Sequence, residues 1–72
     1  MKIQYFTDTD TLLITFNDRP VAETRDLDEN ATLDLDADSQ LVALTLEHAS
    51  HRADVNSIVY QQVSAAPATA AA

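Results

Sequence analysis

From Lys2 to Glu47, apolar and polar side chains alternate with a period of two, the spacing of strands buried on one face. In Lys2 to Phe6, Ile3 and Tyr5 fall on one side and Lys2 and Gln4 on the other. Thr7-Asp8-Thr9-Asp10 has turn composition, because Asp and Thr side chains bond nearby backbone amides. Thr11 to Phe16 resumes the alternation, with Leu12, Ile14 and Phe16 opposite Leu13 and Thr15, and the two runs read as an antiparallel hairpin. Pro20 interrupts the ladder, and Val21 to Leu27, carrying Glu23, Arg25 and Asp26, reads as a short edge strand whose charges discourage pairing with other chains. Asp28-Glu29-Asn30 is the next turn, with Asn30 suited to positive φ.

The cleanest alternation follows: Ala31, Leu33 and Leu35 point one way, Thr32, Asp34 and Asp36 the other. Ala37-Asp38-Ser39-Gln40 turns the chain into its most apolar run, Leu41 to Glu47, where Val42, Leu44 and Leu46 continue the core face. The opposite positions, Leu41, Ala43 and Thr45, are apolar enough to call for cover from a C-terminal segment or a second subunit. The expected core is Ile3, Tyr5, Leu12, Ile14, Phe16, Leu33, Leu35, Val42, Leu44 and Leu46. From His48 to Asn56 the period of two is lost and a helical turn fits. Ser57 to Val63 is rich in β-formers and reads as a closing strand, although Val55, Ile58, Val59 and Val63 also stand at helical spacing behind Asp54 as N-cap. The pattern therefore predicts a mainly β fold in one domain over residues 1–63. It is a small antiparallel sheet, a meander of about four to six strands, with a short helical segment near residues 48–57. An α+β arrangement with a helix over 54–64 is the alternative. The Ala-rich stretch 64–72 carries no large side chain and is expected to be frayed.

Composition narrows the picture in three ways. A chain of 72 residues buries roughly 60% of its unfolded surface, and its core supplies about 3–5 kcal/mol, so an added support is expected. Without cysteine that support is neither a disulfide nor a thiolate metal site, which leaves self-association. Twelve acidic against four basic residues give a net charge of −8, which argues against nucleic acid or an anionic membrane and for self-association or a small basic protein partner. Without glycine, the turns rest on Asn17, Asp18, Asn30, Asp38 and Ser39, and Ser39 is an expected point of backbone strain. Met1 to Phe6 lacks the apolar run of a signal peptide and no stretch approaches the roughly 20 apolar residues of a membrane span, so a cytoplasmic protein is expected.

Candidate chemistry is sparse. Asp34-x-Asp36-x-Asp38 resembles the start of a calcium loop, but Ser39 replaces the glycine and Thr45 the bidentate glutamate, and a solvated outer face is the plainer reading. His48 and His51, with Asp54, could offer zinc ligands on a helical face, and Ser50 lies between them. Yet no glycine is available for a nucleophile elbow, so ordinary exposed histidines are the expectation and no catalytic residue is assigned. Arg19, Arg25 and Arg52, scattered among carboxylates, are expected to form local ion pairs.

Met1-Lys2-Ile3-Gln4-Tyr5, Asp10-Thr11-Leu12-Leu13-Ile14, Val21-Ala22-Glu23-Thr24-Arg25, Leu33 to Asp38 and Leu41 to Arg52 together resemble a small bacterial family, domain of unknown function 2283, over about residues 1 to 52. Ser39 and Asn30 stand where that family usually has glycine, and His48 and His51 where it commonly has Asp and Lys. The resemblance implies a compact β-rich fold and no established activity. Its likeness to partners of small toxins implies an antitoxin-like role only by analogy. The resulting expectation is a non-enzymatic, acidic interaction module without cofactor. It would be a homodimer or a binder of a small basic protein, with Asp26, Asp28, Glu29, Asp34, Asp36 and Asp38 as its interaction face. A divalent-metal domain using Asp34, Asp36 and Asp38 is the first alternative, and a small hydrolase at His48 and His51 the second.

Overall fold

The structure, a computed structural model, describes residues 1–65. Five strands, β1 (Lys2–Phe6), β2 (Thr11–Thr15), β3 (Glu23–Asp28), β4 (Ala31–Leu35) and β5 (Leu41–Leu46), form one antiparallel sheet in the order β1-β2-β5-β4-β3. A 3₁₀ turn, Ala49–His51, follows β5. The protein is thus mainly β, as the alternation predicts. The order differs from a simple meander at one place: the β1–β2 hairpin docks on β5, the last strand, rather than on β3. Strand composition explains that choice. All six β3 residues are exposed and four are charged, so β3 suits an edge, whereas β5 is the most apolar strand and sits at the centre.

The link from β2 to β3 must therefore cross the ends of β5 and β4. Phe16 N–H bonds the Val42 carbonyl at 2.8 Å, the Asn17 amide donates to the Leu41 carbonyl at 2.9 Å, and Ala22 N–H reaches the Leu35 carbonyl at 2.8 Å. Asn17 Oδ1 also accepts Arg19 N–H at 3.1 Å, turning the link over the sheet end.

Register places eight of the ten expected core residues on one face, Phe16 lying beyond β2 and Val42 at the irregularity between β4 and β5. One row runs across the sheet through Ile3, Ile14, Leu44 and Leu33 to Arg25; the next holds Tyr5, Leu12, Leu46 and Ala31. Burial, however, corrects the expectation. Of the ten, only Leu12, Leu35 and Val42 are buried, while Ala31, Ala43 and Ala49 join them and Ile3 is 41% exposed. The physical reason is that no helix or second sheet lies over either face among the described residues, so large side chains near the edges lack a second layer to pack against. The other face is polar, with Thr15, Ala43, Asp34 and Thr24 in one row and Leu13, Thr45, Thr32 and Asp26 in the next.

The closing strand expected over Ser57 to Val63 does not form, nor does the alternative helix over 54–64: residues 58–65 carry no regular structure. Its β-formers depend on a pairing edge that they do not reach, and β-propensity without cross-strand neighbours organises little. The tail expected to fray from residue 64 lies outside the described residues from 66 onward.

Left-handed backbone occurs at Asp10 (φ 55°), Ser39 (φ 60°) and His48 (φ 52°). Ser39 is thus strained as the absence of glycine predicts. Asn30 is not: the Asp28 carboxylate accepts its N–H at 2.8 Å, and a bulge at Leu27 absorbs the turn. Ser39→Gly is expected to stabilise the protein by about 0.5–1 kcal/mol, the left-handed penalty of a Cβ minus the added chain entropy. Urea unfolding checks this; an unchanged or lower midpoint would place the turn strain elsewhere.

Candidate functional site

Antiparallel pairing gathers three turns at one end of the sheet: Thr7 to Asp10 between β1 and β2, Glu29 and Asn30 between β3 and β4, and the 3₁₀ turn after β5. Asp10 is the knot of that end. Its Oδ1 accepts the Tyr5 hydroxyl at 2.6 Å, its Oδ2 the Ser50 hydroxyl at 2.7 Å, and the carboxylate also takes Ser50 N–H at 3.1 Å. Its carbonyl accepts Ala49 N–H at 2.9 Å. The first amides of a helical turn have no partner within the turn, and here Asp10 satisfies two of them from 40 residues away. The Tyr5 and Ser50 hydrogen bonds and the nearby His51 hold the Asp10 carboxyl below its ordinary value, whereas donating its own proton to that carboxylate, with partial burial and the facing charge, pushes the Tyr5 phenol up. Asp28 closes the same end. The Asn30 N–H and the Arg52 guanidinium, 3.0 Å away, keep its carboxyl low.

Asp36 anchors the opposite end. Only 8% exposed, it accepts Asp38 N–H at 2.8 Å and Gln40 N–H at 2.9 Å on Oδ1, while Arg19 meets Oδ2 at 3.2 Å. The Arg19 contact pins the crossing link, so one carboxylate fixes both the β4–β5 turn and the path to β3. The three arginines pair with Asp36, Glu23 and Asp28, the local ion pairs their scattering predicts.

The six residues expected as one acidic face are therefore divided. Asp26 and Asp34 share the polar face, each opposite a threonine that donates to it: Thr24 to Asp34 at 2.8 Å and Thr32 to Asp26 at 3.4 Å. Asp28 and Asp36 are occupied by turns and arginines, and Glu29 and Asp38 stand exposed in turns at opposite ends. The calcium-like triplet does not converge, and no group of three or more His, Asp or Glu among the described residues could hold a metal ion. His48 and His51 stack with ring centroids 5.8 Å apart, and the Ser50 hydroxyl donates to Asp10 rather than to either imidazole. Sequence reasoning missed Tyr5 and Asp10 as a polar pair and Asp36 as an architectural anion. Turn composition could flag the two aspartates, but nothing local signals the bond to Ser50.

The remaining feature is the apolar face itself. Ile3, Ile14, Leu44 and Leu33 line up across four strands, Ile3 exposed and the other three half-buried, and the described residues hold no helix or second sheet to pack on them. Tyr60 lines a shallow groove with Met1 and Ile3 at the β1 edge. Ile58, Val59 and Val63 stay exposed. A family model described as a protein of unknown function, DUF2283, matches residues 2–50, well over half of the chain. The chain belongs to the DUF2283 family. No curated protein and no solved structure matches it. The DUF2283 region contains all five strands of the described residues, both carboxylate anchors and Ser50, and it ends inside the 3₁₀ turn. The apolar face is thus a property of the DUF2283 sheet and not of the chain that follows it. No helix in the described residues is long and apolar enough to cross a membrane.

Proposed function

We propose that this DUF2283 protein is a cytoplasmic, non-enzymatic interaction module that works by presenting a sheet face to another protein. The observation that carries the reading is the row Ile3, Ile14, Leu44 and Leu33, apolar across four strands of a sheet that has no helix or second sheet to pack on it among the described residues. Surfaces of that kind mark docking sites, since a single-layer sheet needs a second layer to exclude water from its apolar side. The hydroxyls and imidazoles that a hydrolase would use are instead engaged in the Asp10 knot or stacked on one another, which supports the non-enzymatic reading. Native mass spectrometry of the protein purified from its own cytoplasm tests it. A species heavier than 7.9 kDa is the expected result, and a bare monomer at every concentration would overturn the proposal.

The net charge of −8 favours a second use of the same module, recognition of a small basic protein by the polar face. Asp26 and Asp34 are its outward carboxylates. Asp26→Asn with Asp34→Asn is expected to slow association with such a partner by about 3–10-fold and to flatten its salt dependence, while leaving contacts of the apolar face intact. Stopped-flow association at two ionic strengths reads both effects; an unchanged rate would remove the polar face from the recognition.

A further inference from the structure

We infer that β1 is a docking strand and that its occupant is the β1 of a second copy, added antiparallel about a two-fold axis at Gln4, so that two five-stranded sheets run on as one. Backbone direction comes first. Phe16 N–H donates to the Val42 carbonyl at 2.8 Å, so the even-numbered residues of β2 turn their backbone groups to β5 and the odd-numbered ones to β1. Thr11, Leu13 and Thr15 therefore bond Phe6, Gln4 and Lys2. The N–H and C=O groups of Ile3 and Tyr5 point away from the sheet, and among the described residues no backbone hydrogen bond reaches β1 from outside β2. Tyr60, 78% exposed, lines a groove with Met1 and Ile3 but bonds no backbone group of β1.

The two edges of the sheet differ. β3 carries Glu23, Arg25, Asp26 and Asp28 and is broken by the bulge at Leu27, devices that keep another strand from adding. β1 has neither. Lys2 is its one charge, its register with β2 is unbroken, and Ile3 and Phe6 are 41% and 43% exposed.

Self-complementarity selects the second copy. A two-fold axis at Gln4 sets Ile3 opposite the partner's Tyr5 and Tyr5 opposite the partner's Ile3, so each outward N–H meets an outward C=O. One face then pairs a branched side chain with an aromatic ring, and the other pairs Lys2 with the partner's Phe6. Lys2 has no carboxylate partner among the described residues, and the pairing brings it within two residues of the partner's Asp8, exposed in the turn after β1. Charge agrees. Each copy carries −8, and the order β1-β2-β5-β4-β3 with the β1 edges joined puts the two acidic β3 edges about 40 Å apart, several Debye lengths. The same carboxylates draw a basic protein toward β3 and β4, away from β1.

Sedimentation equilibrium on the full chain tests this, and the parent is expected at twice 7.9 kDa. Ile3→Pro removes an N–H that no described residue accepts and sets a ring in the path of the added strand. It is expected to weaken the dimer by about 100-fold while the far-UV circular dichroism stays that of the parent. Exchange of charge is a second probe that leaves the backbone untouched. Lys2→Glu and Asp8→Lys are each expected to weaken the dimer by about 10-fold, and the double variant to restore it. Within one copy these residues stand about 20 Å apart at opposite ends of β1, so only pairing between copies couples them. A dimer that Ile3→Pro and the charge exchange leave unchanged would overturn the inference, although the docking proposal for the apolar face would then stand. A monomeric parent would overturn it too, and slow amide exchange at Ile3 and Tyr5 in that monomer would assign the edge to the chain's own C-terminal residues.

Discussion

Leu35→Ala is expected to leave most of the protein unfolded at 25 °C in dilute solution. Leu35 ends β4 at 5% exposure, opposite Glu23 on β3 and against the β5 bulge that presents Leu41 and Val42. Truncating a buried Leu costs about 2–5 kcal/mol in transfer and cavity terms. A domain of this size holds only about 3–5 kcal/mol in all, so the one substitution removes most of it. Urea unfolding followed by circular dichroism at low micromolar protein measures the loss. Leu27→Ala is the control: Leu27 is 58% exposed at the bulge between Asp26 and Asp28, and its truncation is expected to stay within about 0.5 kcal/mol. Equal losses from the two would mean that burial along β4 is not what holds the sheet.

The second large effect belongs to Asp36, the buried charged residue of the described chain. The Gln40 N–H, then the Asp38 N–H and Arg19, hold its carboxyl below the ordinary value of 3.8, against the opposing effect of burial. A folded-state value below the unfolded one means that its contribution to stability is fully present above about pH 4 and is lost as pH falls through the depressed value. Asp10 and Asp28 titrate in the same sense, so the protein is expected to be acid-labile in that window and insensitive between pH 5 and 8 on their account. Asp36→Ala leaves two turn amides and the Arg19 clamp without their acceptor and is expected to lower Tm by about 10 °C at pH 7. Asp36→Asn retains an acceptor oxygen, so it is expected to lose less at pH 7 and to show a flatter Tm profile from pH 5 to pH 2. Thermal melts across that range decide the matter. An acid profile identical to the parent's would remove Asp36 from the titration.

Several features of this fold were legible from residue order. Alternation located β1, β2, β4 and β5 and identified which side chains share a face, because side-chain direction reverses at every strand residue whatever the strand pairs with. Charge marked β3 as an edge, and the absence of glycine marked Ser39 as strained. The candidate site was less legible. Asp34, Asp36 and Asp38 look equivalent in sequence, yet Asp34 faces outward to Thr24 while Asp36 turns inward to two amides and an arginine. A period of two does not reveal where a strand ends and a turn begins to use the same residue type as a cap.

The sequence by itself determined that this is a small antiparallel sheet and which side chains of each strand share a face, since period and composition are local properties that each residue carries into any arrangement. Only the tertiary structure decided the strand order, the Asp10–Ser50 bond across 40 residues and the Asp36–Arg19 clamp on the crossing link. It also decided that residues 58–65 form no sixth strand. These depend on which distant segments meet. That outcome is set by competition among edges and faces for partners, which no local pattern encodes.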